Sequence, residues 1–473
     1  MFEKILIANR GEIAVRIIRA CKEMGISTVA VYSTIEKEQL FVKLADETVC
    51  IGEPPVQDSY LNISNIIQAA IGTGTEAIHP GYGFLSENAD FAEKVEENGL
   101  VFIGPSGKTM RLMGDKIRAK QVAKKADVPI IPGSQGEVKS LSQAKAIASE
   151  IGYPILLKAA NGGGGRGIRR VNGPDEIKQE WTLARKESMA AFGSPEIYIE
   201  KLILNPRHVE VQVLADKEGR VIHLYERDCS IQRRHQKIIE EAPSSILSEE
   251  MREEMCQAAV RITKECGYEN AGTVEYLVDK EGKFYFIEMN ARLQVEHPVT
   301  EMITGVDLVK QQIRIAAGYP LTFKQEEIQI LGHAIECRIN AEDPYNNFAP
   351  QPGELKIVHT PGGFNVRFDN ALRNITKISS YYDSMIGKLI VKAASRQQAL
   401  NKMKTSLEEL VLGGLKTTIK VPYVILTDKR FQKGDYDTSF VDESLADLLE
   451  QDTILDHDDR FDYTDENGNI FKG

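Results

Sequence analysis

The sequence predicts a chain of three units over its 473 residues: an open parallel α/β unit, an α+β unit and a third, mixed α+β unit. Strand-like and helix-like segments alternate through roughly the first 110 residues, as in the repeated βα units that build a parallel sheet. From about residue 115 the pattern changes to helices mixed with strand hairpins, which is typical of an α+β unit. The length is also that of about three domains.

The first unit opens with the strand-like stretch KILIAN and continues through EIAVRIIRACKEMG, STVAVYS, LNISNIIQAAIGTG, EAIHP and LVFIGP. Its first strand-to-helix turn reads ANRGEIAVR and contains one glycine. A dinucleotide-binding oxidoreductase needs a GxGxxG series at this turn, so that the backbone can approach a pyrophosphate. The turn therefore disfavours hydride transfer, an alternative that nicotinamide binding would revive.

The second unit contains the apolar strand YPILLKAA, a glycine loop, a long helical stretch to about Phe192, and the strands EIYIEKLI, HVEVQVLAD and VIHLYERDCSIQRR. After a helical segment that ends near Gly318, GHAIECRINAED begins the third unit. The last stretch is acidic and has no periodic pattern, which predicts a loosely held tail. We expect unit boundaries at residues 1–114, 115–330 and 331–446, with the tail at 447–473.

Composition excludes several classes of protein. The formal net charge of −11 argues against a general binder of nucleic acid or anionic membrane, whose phosphate contacts call for basic excess. The six cysteines have no CxxC pair or regular spacing, so neither a disulfide framework nor a zinc site is indicated. The chain has no apolar run of about eighteen residues and no basic-then-apolar leader, so we expect a cytoplasmic location.

The stretch KAANGGGGRGI, Lys158 to Ile168, places four successive glycines after an apolar strand. Each glycine costs roughly 0.5–1 kcal/mol relative to alanine in a regular element, so packing alone would favour side chains. A mobile hairpin tip is one explanation. However, Arg166, Arg169 and Arg170 lie close by, and backbone N–H groups beside cations suit phosphate oxygens. The loop therefore predicts a nucleotide site.

The segment EYLVDKEGKFYFIE predicts a hairpin with its turn at Glu281–Gly282. Antiparallel pairing then sets three pairs opposite each other: Lys280 and Lys283, Leu277 and Phe286, and Glu275 and Glu288. Like charges that face each other on a sheet are destabilising, so the two glutamates call for a compensating cation.

Continued with a period of two, this strand divides into a polar and an apolar side. The polar side holds Glu288, Asn290, Arg292, Gln294 and Glu296, and the apolar side Met289, Ala291, Leu293 and Val295. A wet amphipathic strand would also alternate in this way. Carboxylate and amide oxygens of Glu275, Glu288 and Asn290 nevertheless suit Mg²⁺ or Mn²⁺. Arg292 is suited to clamp a small planar oxyanion and Glu296 to remove a proton from it.

Other polar residues are less informative when taken singly. Lys116 and Lys158 are isolated lysines that can simply reach solvent. His208 and His235 are of a type that more often satisfies a hydrogen bond than catalyses. The run QRRHQK, Gln232 to Lys237, suggests either an anion contact or a solvated edge.

Six motifs in order resemble biotin carboxylase, a member of the ATP-grasp superfamily, from Met1 to about residue 445: ANRGEIAVR, HPGYGFLSEN, GGGGRG, ERDCSIQRRHQK, FIEMNARLQVEHPVTE and ECRINAEDP. The resemblance implies an N-terminal α/β domain at 1–114, an ATP-grasp domain at 115–330 with a glycine-rich lid at roughly 131–203, and a C-terminal mixed domain at 331–446.

The resemblance also implies a reaction, in which ATP phosphorylates bicarbonate to carboxyphosphate and the carboxyl group passes to the ureido nitrogen of biotin. The implied ATP contacts are Lys116, Lys158, Gly164, Gly165, Glu200, Lys201, Leu202, Ile203, His208, Gln232, His235, Glu275 and Glu288. The implied metal ligands, for two Mg²⁺ or Mn²⁺ ions, are Glu275, Glu288 and Asn290. The implied bicarbonate pocket is Lys237, Arg292, Gln294 and the backbone of Val295. Glu296 matches the base, Arg338 the group that stabilises the biotin enolate, and Tyr82 the ring beside biotin.

No MKM biotin-attachment motif occurs in the sequence. We therefore expect biotin on a separate carrier protein, a separate carboxyltransferase and, from the family, a homodimer. The commonest setting is acetyl-CoA carboxylase, while another acyl-CoA carboxylase, or a two-subunit pyruvate or 2-oxo acid carboxylase, stays open. Two rivals also stay open: another ATP-grasp ligase that activates a carboxylate for attack by an amine, and a catalytically silent scaffold.

Overall fold

The computed structural model describes residues 1–134, 136–159, 167–451, 463–464 and 470–471. The N-terminal unit is a five-stranded parallel sheet in the order β3-β2-β1-β4-β5, as its alternating sequence predicts. Helices cover the sheet because each presents an apolar stripe to it. The elements are β1 (Lys4–Ile7), α1 (Gly11–Glu23), β2 (Ser27–Ser33), α2 (Leu40–Leu44), β3 (Glu47–Gly52), α3 (Ile63–Gly72), β4 (Ala77–His79), α4 (Ala89–Glu97) and β5 (Val101–Phe102).

The first part of the central unit contains a small antiparallel sheet in the order β7-β6-β8. It has its own hydrophobic core, which includes Leu157, Trp181 and Ile199. The glycines Gly164 and Gly165 lie outside the described residues. The elements are α5 (Gly107–Gly114), α6 (Lys116–Lys125), α7 (Leu141–Ile151), β6 (Ile155–Ala159), β7 (Ile168–Val171), α8 (Ile177–Phe192) and β8 (Ile197–Lys201).

The rest of the central unit supplies five strands and three helices: β9 (Arg207–Ala215), β10 (Val221–Arg233), β11 (Gln236–Ala242), α9 (Glu249–Glu265), β12 (Asn270–Val278), β13 (Phe284–Asn290), α10 (His297–Thr304) and α11 (Leu308–Ala316). The third unit follows with β14 (His333–Asn340), β15 (Glu342–Asp343), β16 (Ala349–Pro350), β17 (Gly353–Leu355), β18 (Ile357–His359), β19 (Val366–Asn370), β20 (Thr376–Ile378), β21 (Met385–Ala393), α12 (Arg396–Glu409), β22 (Val411–Gly413), α13 (Lys420–Thr427), α14 (Lys429–Lys433) and α15 (Phe440–Gln451). The described tail residues form a two-stranded ladder, β23 (Tyr463–Thr464) and β24 (Ile470–Phe471).

One eight-stranded antiparallel sheet joins the central and third units, in the order β13-β12-β9-β10-β11-β14-β21-β19. Strand β11 pairs with β14 from Ile239–Cys337 to Ala242–Ala334, so the sheet crosses the expected boundary at residue 330 without a break. The last helix, α15, also extends past residue 446, where we expected the tail to begin. Within the described ranges, no helix is both long and apolar enough to cross a membrane.

The hairpin of β12 and β13 corrects one detail of the sequence prediction. Glu275 does lie opposite Glu288, as predicted, but Leu277 lies opposite Tyr285 rather than Phe286, and Asp279 rather than Lys280 faces Lys283. A register shift between Glu275 and Tyr276 accounts for the difference, because a β-bulge sets two residues of one strand against one of the other. The predicted strand also ends at Asn290, and the chain turns before α10 begins.

Candidate functional site

A network of polar side chains is centred on Glu275 in β12. His208 Nε2 lies 3.0 Å from Glu275 Oε2, and Asn290 Nδ2 donates to Glu275 Oε1 at 2.8 Å. Lys237 Nζ is 3.5 Å from the same Oε1. Burial opposes ionisation, but Lys237 and His208 hold the pKa of Glu275 well below its usual range. The protein thus supplies part of the cationic charge that the facing glutamates call for.

Arg292 is held in a fixed orientation by three side chains. Its Nε donates to Glu87 Oε2 at 2.8 Å, Nη1 to Gln294 Oε1 at 3.0 Å, and Nη2 to Asn290 Oδ1 at 3.3 Å. Glu87 also accepts from the Ala291 backbone N–H at 3.0 Å. Nη1 also donates to the Leu293 carbonyl oxygen at 3.2 Å, so one N–H of Nη2 has no partner among the described residues, and an anion that binds more than this group must displace one of these bonds.

Glu296 lies fully buried at the start of α10, between two cations. Lys237 Nζ donates to Glu296 Oε1 at 2.5 Å, and Arg338 Nη2 to Oε2 at 2.9 Å. Burial again opposes ionisation, but Lys237, Arg338 and Arg227 hold the pKa of Glu296 well below its usual range. Glu296 is therefore a carboxylate at neutral pH, with one oxygen bonded to each cation.

Arg338 has a second carboxylate partner. Its Nε donates to Glu240 Oε1 at 2.6 Å, from the neighbouring strand β11. Lys237 is likewise shared, since its Nζ donates to the fully buried Glu210 at 2.6 Å. Arg227 donates to the other oxygen of Glu210 at 2.6 Å and is itself completely buried. The buried carboxylates of Glu210 and Glu240 thus orient Lys237 and Arg338 through hydrogen bonds.

The peptide between Val295 and Glu296 is fixed by a residue that the sequence analysis did not identify. Lys388 Nζ donates to the Val295 carbonyl oxygen at 2.7 Å and lies 5.6 Å from the centre of the Tyr82 ring. The Tyr82 carbonyl accepts from Asn9 Nδ2 at 2.8 Å. The residues predicted to contact bicarbonate and biotin therefore meet at this lysine.

Lys158 and Glu200 form a separate pair on the small sheet. Lys158 and Lys120 both donate to the Glu200 carboxylate. Burial opposes ionisation of this carboxylate, but the two lysines lower its pKa. Lys201 turns the other way, and its Nζ donates to the Tyr153 carbonyl oxygen at 2.8 Å. Of the four residues predicted at the adenine, Glu200 thus forms a hydrogen bond with another predicted ATP contact, Lys158.

The remaining predicted ATP residues lie on several different elements. Lys116 is the first residue of α6 and acts electrostatically on Glu288. Gln232 lies opposite Lys237 in the β10–β11 pairing. His235 is exposed at the hairpin tip with φ of 64°. Leu202 and Ile203 follow β8 and are half-buried.

The residues present fit a divalent cation that prefers oxygen ligands. Burial and the facing Glu275 raise the pKa of Glu288, and the charges of Lys116 and His208 oppose that shift only in part. Asn290 Oδ1 accepts the 3.3 Å bond from Arg292, which a metal would have to displace. Two groups of side chains in the described ranges also bring ligand atoms within 4.8 Å of one another. The first is His208, Glu210 and Glu275, and the second is Glu210, Cys229 and Glu296. Lys237 already contacts Glu210, Glu275 and Glu296 in these groups.

The sequence analysis missed seven residues that support the site: Asn9, Glu87, Lys120, Glu210, Arg227, Glu240 and Lys388. Asn9 and Glu87 do occur in the quoted motifs ANRGEIAVR and HPGYGFLSEN, which no chemical argument had assigned to the site. Glu240 directly follows a pair of isoleucines, and Lys388 is one of two lysines in an otherwise largely apolar strand. Neither position has a sequence pattern that distinguishes it from a surface residue.

Comparison with known proteins agrees with this architecture along the chain. Residues 1–110 match the biotin carboxylase N-terminal domain, residues 115–324 the ATP-binding domain of the carbamoyl-phosphate synthase L chain, and residues 336–443 the biotin carboxylase C-terminal domain. The fold and the site define an enzyme of the ATP-grasp class.

Two relatives and one solved structure resemble nearly the whole chain. The chain is 54% identical over 447 residues to a biotin carboxylase of Haemophilus influenzae, covering 94% of this chain and 99% of the relative. It is 53% identical over 443 residues to one of the pyruvate carboxylase subunits of Methanothermobacter thermautotrophicus, covering 94% and 90%. The chain belongs to the biotin carboxylase family.

The solved structure is the biotin carboxylase domain dimer of Hydrogenobacter thermophilus 2-oxoglutarate carboxylase, in complex with MgADP, ADP and bicarbonate. It has a TM-score of 0.88 at 52% identity, and the match covers 94% of this chain and 98% of that one. The fold class predicted from the sequence is confirmed.

Proposed function

We propose that the chain carboxylates biotin, held on a separate carrier protein, with bicarbonate and ATP by way of carboxyphosphate. The observation that carries this proposal is the Glu296 carboxylate between Lys237 and Arg338, in a network that also contains Arg292. A general ATP-grasp ligase needs the lysines and the oxygen ligands but has no use for a base placed between these cations. The bicarbonate bound in the Hydrogenobacter structure supports the same choice of substrate.

The nucleotide is held in this proposal by Lys116, Lys158 and the segment Glu200 to Ile203, with His208, Gln232 and His235 around it. Gly164 and Gly165 lie outside the described residues and stay predicted lid contacts. Glu275, Glu288 and Asn290 hold Mg²⁺ or Mn²⁺, which supplies positive charge to the phosphates. Phosphoryl transfer depends chiefly on such positioning and charge neutralisation.

Bicarbonate lies against Arg292, Gln294, Lys237 and the backbone of Val295. The Glu296 carboxylate accepts the bicarbonate proton while a bicarbonate oxygen attacks the γ-phosphorus of ATP, and the bond to ADP breaks. Lys237 and Arg338 keep Glu296 ionised until that moment. Because its lowered pKa makes Glu296 a weak base, the proton moves only as the bond to phosphorus forms, which turns bicarbonate into a more acidic carboxyl group.

Biotin enters beside Tyr82, with its ureido oxygen toward Arg338. Transfer of the N–H proton to a phosphate oxygen of carboxyphosphate places negative charge on the ureido oxygen, and a guanidinium stabilises that charge. Arg338 already lies between Glu240 and Glu296, so it is held in place before biotin arrives. The carboxyl group of carboxyphosphate then passes to the ureido nitrogen and phosphate leaves.

The chain acts in our proposal as the biotin carboxylase subunit of acetyl-CoA carboxylase, in the cytoplasm, with a separate carboxyltransferase and as a homodimer. The similarity to the Methanothermobacter pyruvate carboxylase subunit supports a second candidate, the corresponding subunit of a 2-oxo acid carboxylase. Both settings use the same half-reaction, because the acceptor binds to another polypeptide. Identification of the carrier and carboxyltransferase that co-purify with the chain separates them.

The test of the half-reaction is ATP hydrolysis by the purified chain with Mg²⁺, with and without bicarbonate and free biotin. We expect a bicarbonate-dependent rate that rises with biotin in the parent and fails to rise in Arg338→Ala. Hydrolysis that responds to an amine and ignores bicarbonate would favour the other ATP-grasp ligase. A chain that binds ATP and hydrolyses none would be the silent scaffold.

A further inference from the structure

Lys388 is a completely buried lysine at the junction of the three units. Its Nζ donates to the Val295 carbonyl oxygen of the central unit at 2.7 Å and forms an ion pair with Glu12 Oε1 of helix α1 at 3.1 Å. The Tyr82 ring centre, also in the N-terminal unit, lies 5.6 Å away. Lys388 itself belongs to β21 of the third unit.

The surroundings of Lys388 are rich in carboxyl groups. Asp369 lies directly opposite it on β19, and Glu336 on β14 acts on it electrostatically. Among the described residues, no hydrogen bond reaches either buried carboxyl oxygen of Glu336. Burial raises the pKa of Glu12 to about 7 and that of Glu336 well above its usual range, although Lys388 opposes both shifts.

Stability alone does not account for a lysine in this position. Taking an ammonium group out of water costs several kcal/mol, and well-packed apolar side chains often replace buried ion pairs with no loss of stability. What an apolar side chain cannot do is donate to the Val295 carbonyl. That bond fixes the peptide plane between Val295 and Glu296, which are the predicted bicarbonate contact and the predicted base.

We infer that Lys388 is a positioning residue that fixes the Val295–Glu296 peptide relative to the Tyr82 ring, and so sets the distance between the bicarbonate and biotin pockets. This inference rests on the proposed function. Lys388 touches neither reactant. It acts through the carbonyl that it binds, through the ring that it faces, and through Glu12, which ties its ammonium group to the N-terminal unit.

The test compares Lys388→Met with the parent and with Lys392→Met, a half-buried lysine farther along the same strand. KM is measured separately for ATP, bicarbonate and free biotin. We expect Lys388→Met to raise KM for bicarbonate and for biotin by about tenfold or more, as for loss of a charged hydrogen bond, and to leave KM for ATP within about twofold. Lys392→Met leaves all three unchanged.

Equal rises in all three KM values, or unchanged values for bicarbonate and biotin, would overturn the inference. If Lys388→Met does not fold, Glu12→Gln decides instead, because it weakens the ion pair and keeps the shape of the side chain. The same selective pattern at about threefold supports the inference, and its absence refutes it. A parent chain whose ATP hydrolysis ignores bicarbonate would refute the proposed function itself, a result that does not depend on any Lys388 variant.

Discussion

The Arg338 guanidinium and the Glu240 carboxylate, on neighbouring strands, are joined by a 2.6 Å hydrogen bond from Nε to Oε1. Glu240 is completely buried, and burial raises its pKa to about 7 although Arg338 opposes the shift. The bond leaves Nη2 of Arg338 directed at Glu296. The orientation of the proposed biotin contact is thus set from the strand behind it.

Glu240→Gln keeps an oxygen acceptor near Arg338 but removes its charge. We expect KM for biotin to rise by about threefold, because a hydrogen bond to a charged acceptor is replaced by one to a neutral acceptor. The biotin-independent, bicarbonate-dependent ATP hydrolysis should change by less than about twofold, because the nucleotide residues lie elsewhere. Steady-state kinetics with free biotin measures both values. An equal loss of the biotin-stimulated rate and of the biotin-independent rate of ATP hydrolysis would show that Glu240 only supports the fold.

Glu296→Gln tests the base. Without a carboxylate to accept the bicarbonate proton, turnover at saturating substrates should fall by about 100-fold or more. Nucleotide affinity, measured by calorimetry without bicarbonate, should stay within about twofold of the parent value. Unchanged turnover would remove Glu296 from this role. Glu249→Gln, at the start of α9, serves as a matched surface control.

Glu288→Gln tests the oxygen ligands. Loss of one carboxylate should raise the Mg²⁺ concentration that gives half-maximal ATP hydrolysis by about tenfold or more. Glu281→Gln, at the exposed tip of the same hairpin, should leave the Mg²⁺ titration unchanged. A chelator should abolish turnover in both variants and in the parent. An Mg²⁺ requirement that does not change in Glu288→Gln would exclude Glu288 as a ligand.

Glu301 predicts how the fold responds to acid. It accepts from Arg16 at 2.8 Å and from Arg367 at 2.7 Å, and these cations lower its pKa although burial opposes the shift. A carboxyl group whose pKa is lower in the folded state stabilises the fold above its unfolded pKa of about 4.5. That stabilisation is lost as the pH falls below this value.

Urea unfolding measured at pH 7, 4 and 3 should therefore show a decreasing free energy of unfolding in the parent below about pH 4.5. Glu301→Gln should be less stable at pH 7 by about 1–3 kcal/mol, because it removes the anion that Arg16 and Arg367 share and leaves each with a single carboxylate partner, Asp307 and Asp369 respectively. It should also lose less stability on acidification, since one titrating group is gone. An identical pH slope in the two proteins would contradict the assigned pKa shift.

Much of the site followed from alternation along one hairpin. The facing pair Glu275 and Glu288 was predicted because turn residues fix antiparallel register, and a bulge between Glu275 and Tyr276 changed only the pairs nearer the turn. The prediction that the strand continues beyond Asn290 was wrong. Arg292 and Gln294 nevertheless meet at the site through a turn, which a period of two cannot describe.

Residues that support the site from a distance were beyond sequence reasoning. Lys388, Glu240 and Glu87 reach it only after three units have packed together, and each contact joins residues tens to hundreds of positions apart. A buried charged residue also contradicts the ordinary expectation for its type. Local pattern therefore predicts the groups that line a site better than the groups that hold them.

The pairing of β11 with β14 means that the third unit cannot be cut away to leave a smaller working protein. A chain that stopped near residue 330 would expose β11 as a long open edge, with a row of unpaired N–H and C=O groups next to Lys237 and Glu240. Such an edge is a template for another chain, so the shortened protein would self-associate and precipitate rather than bind nucleotide.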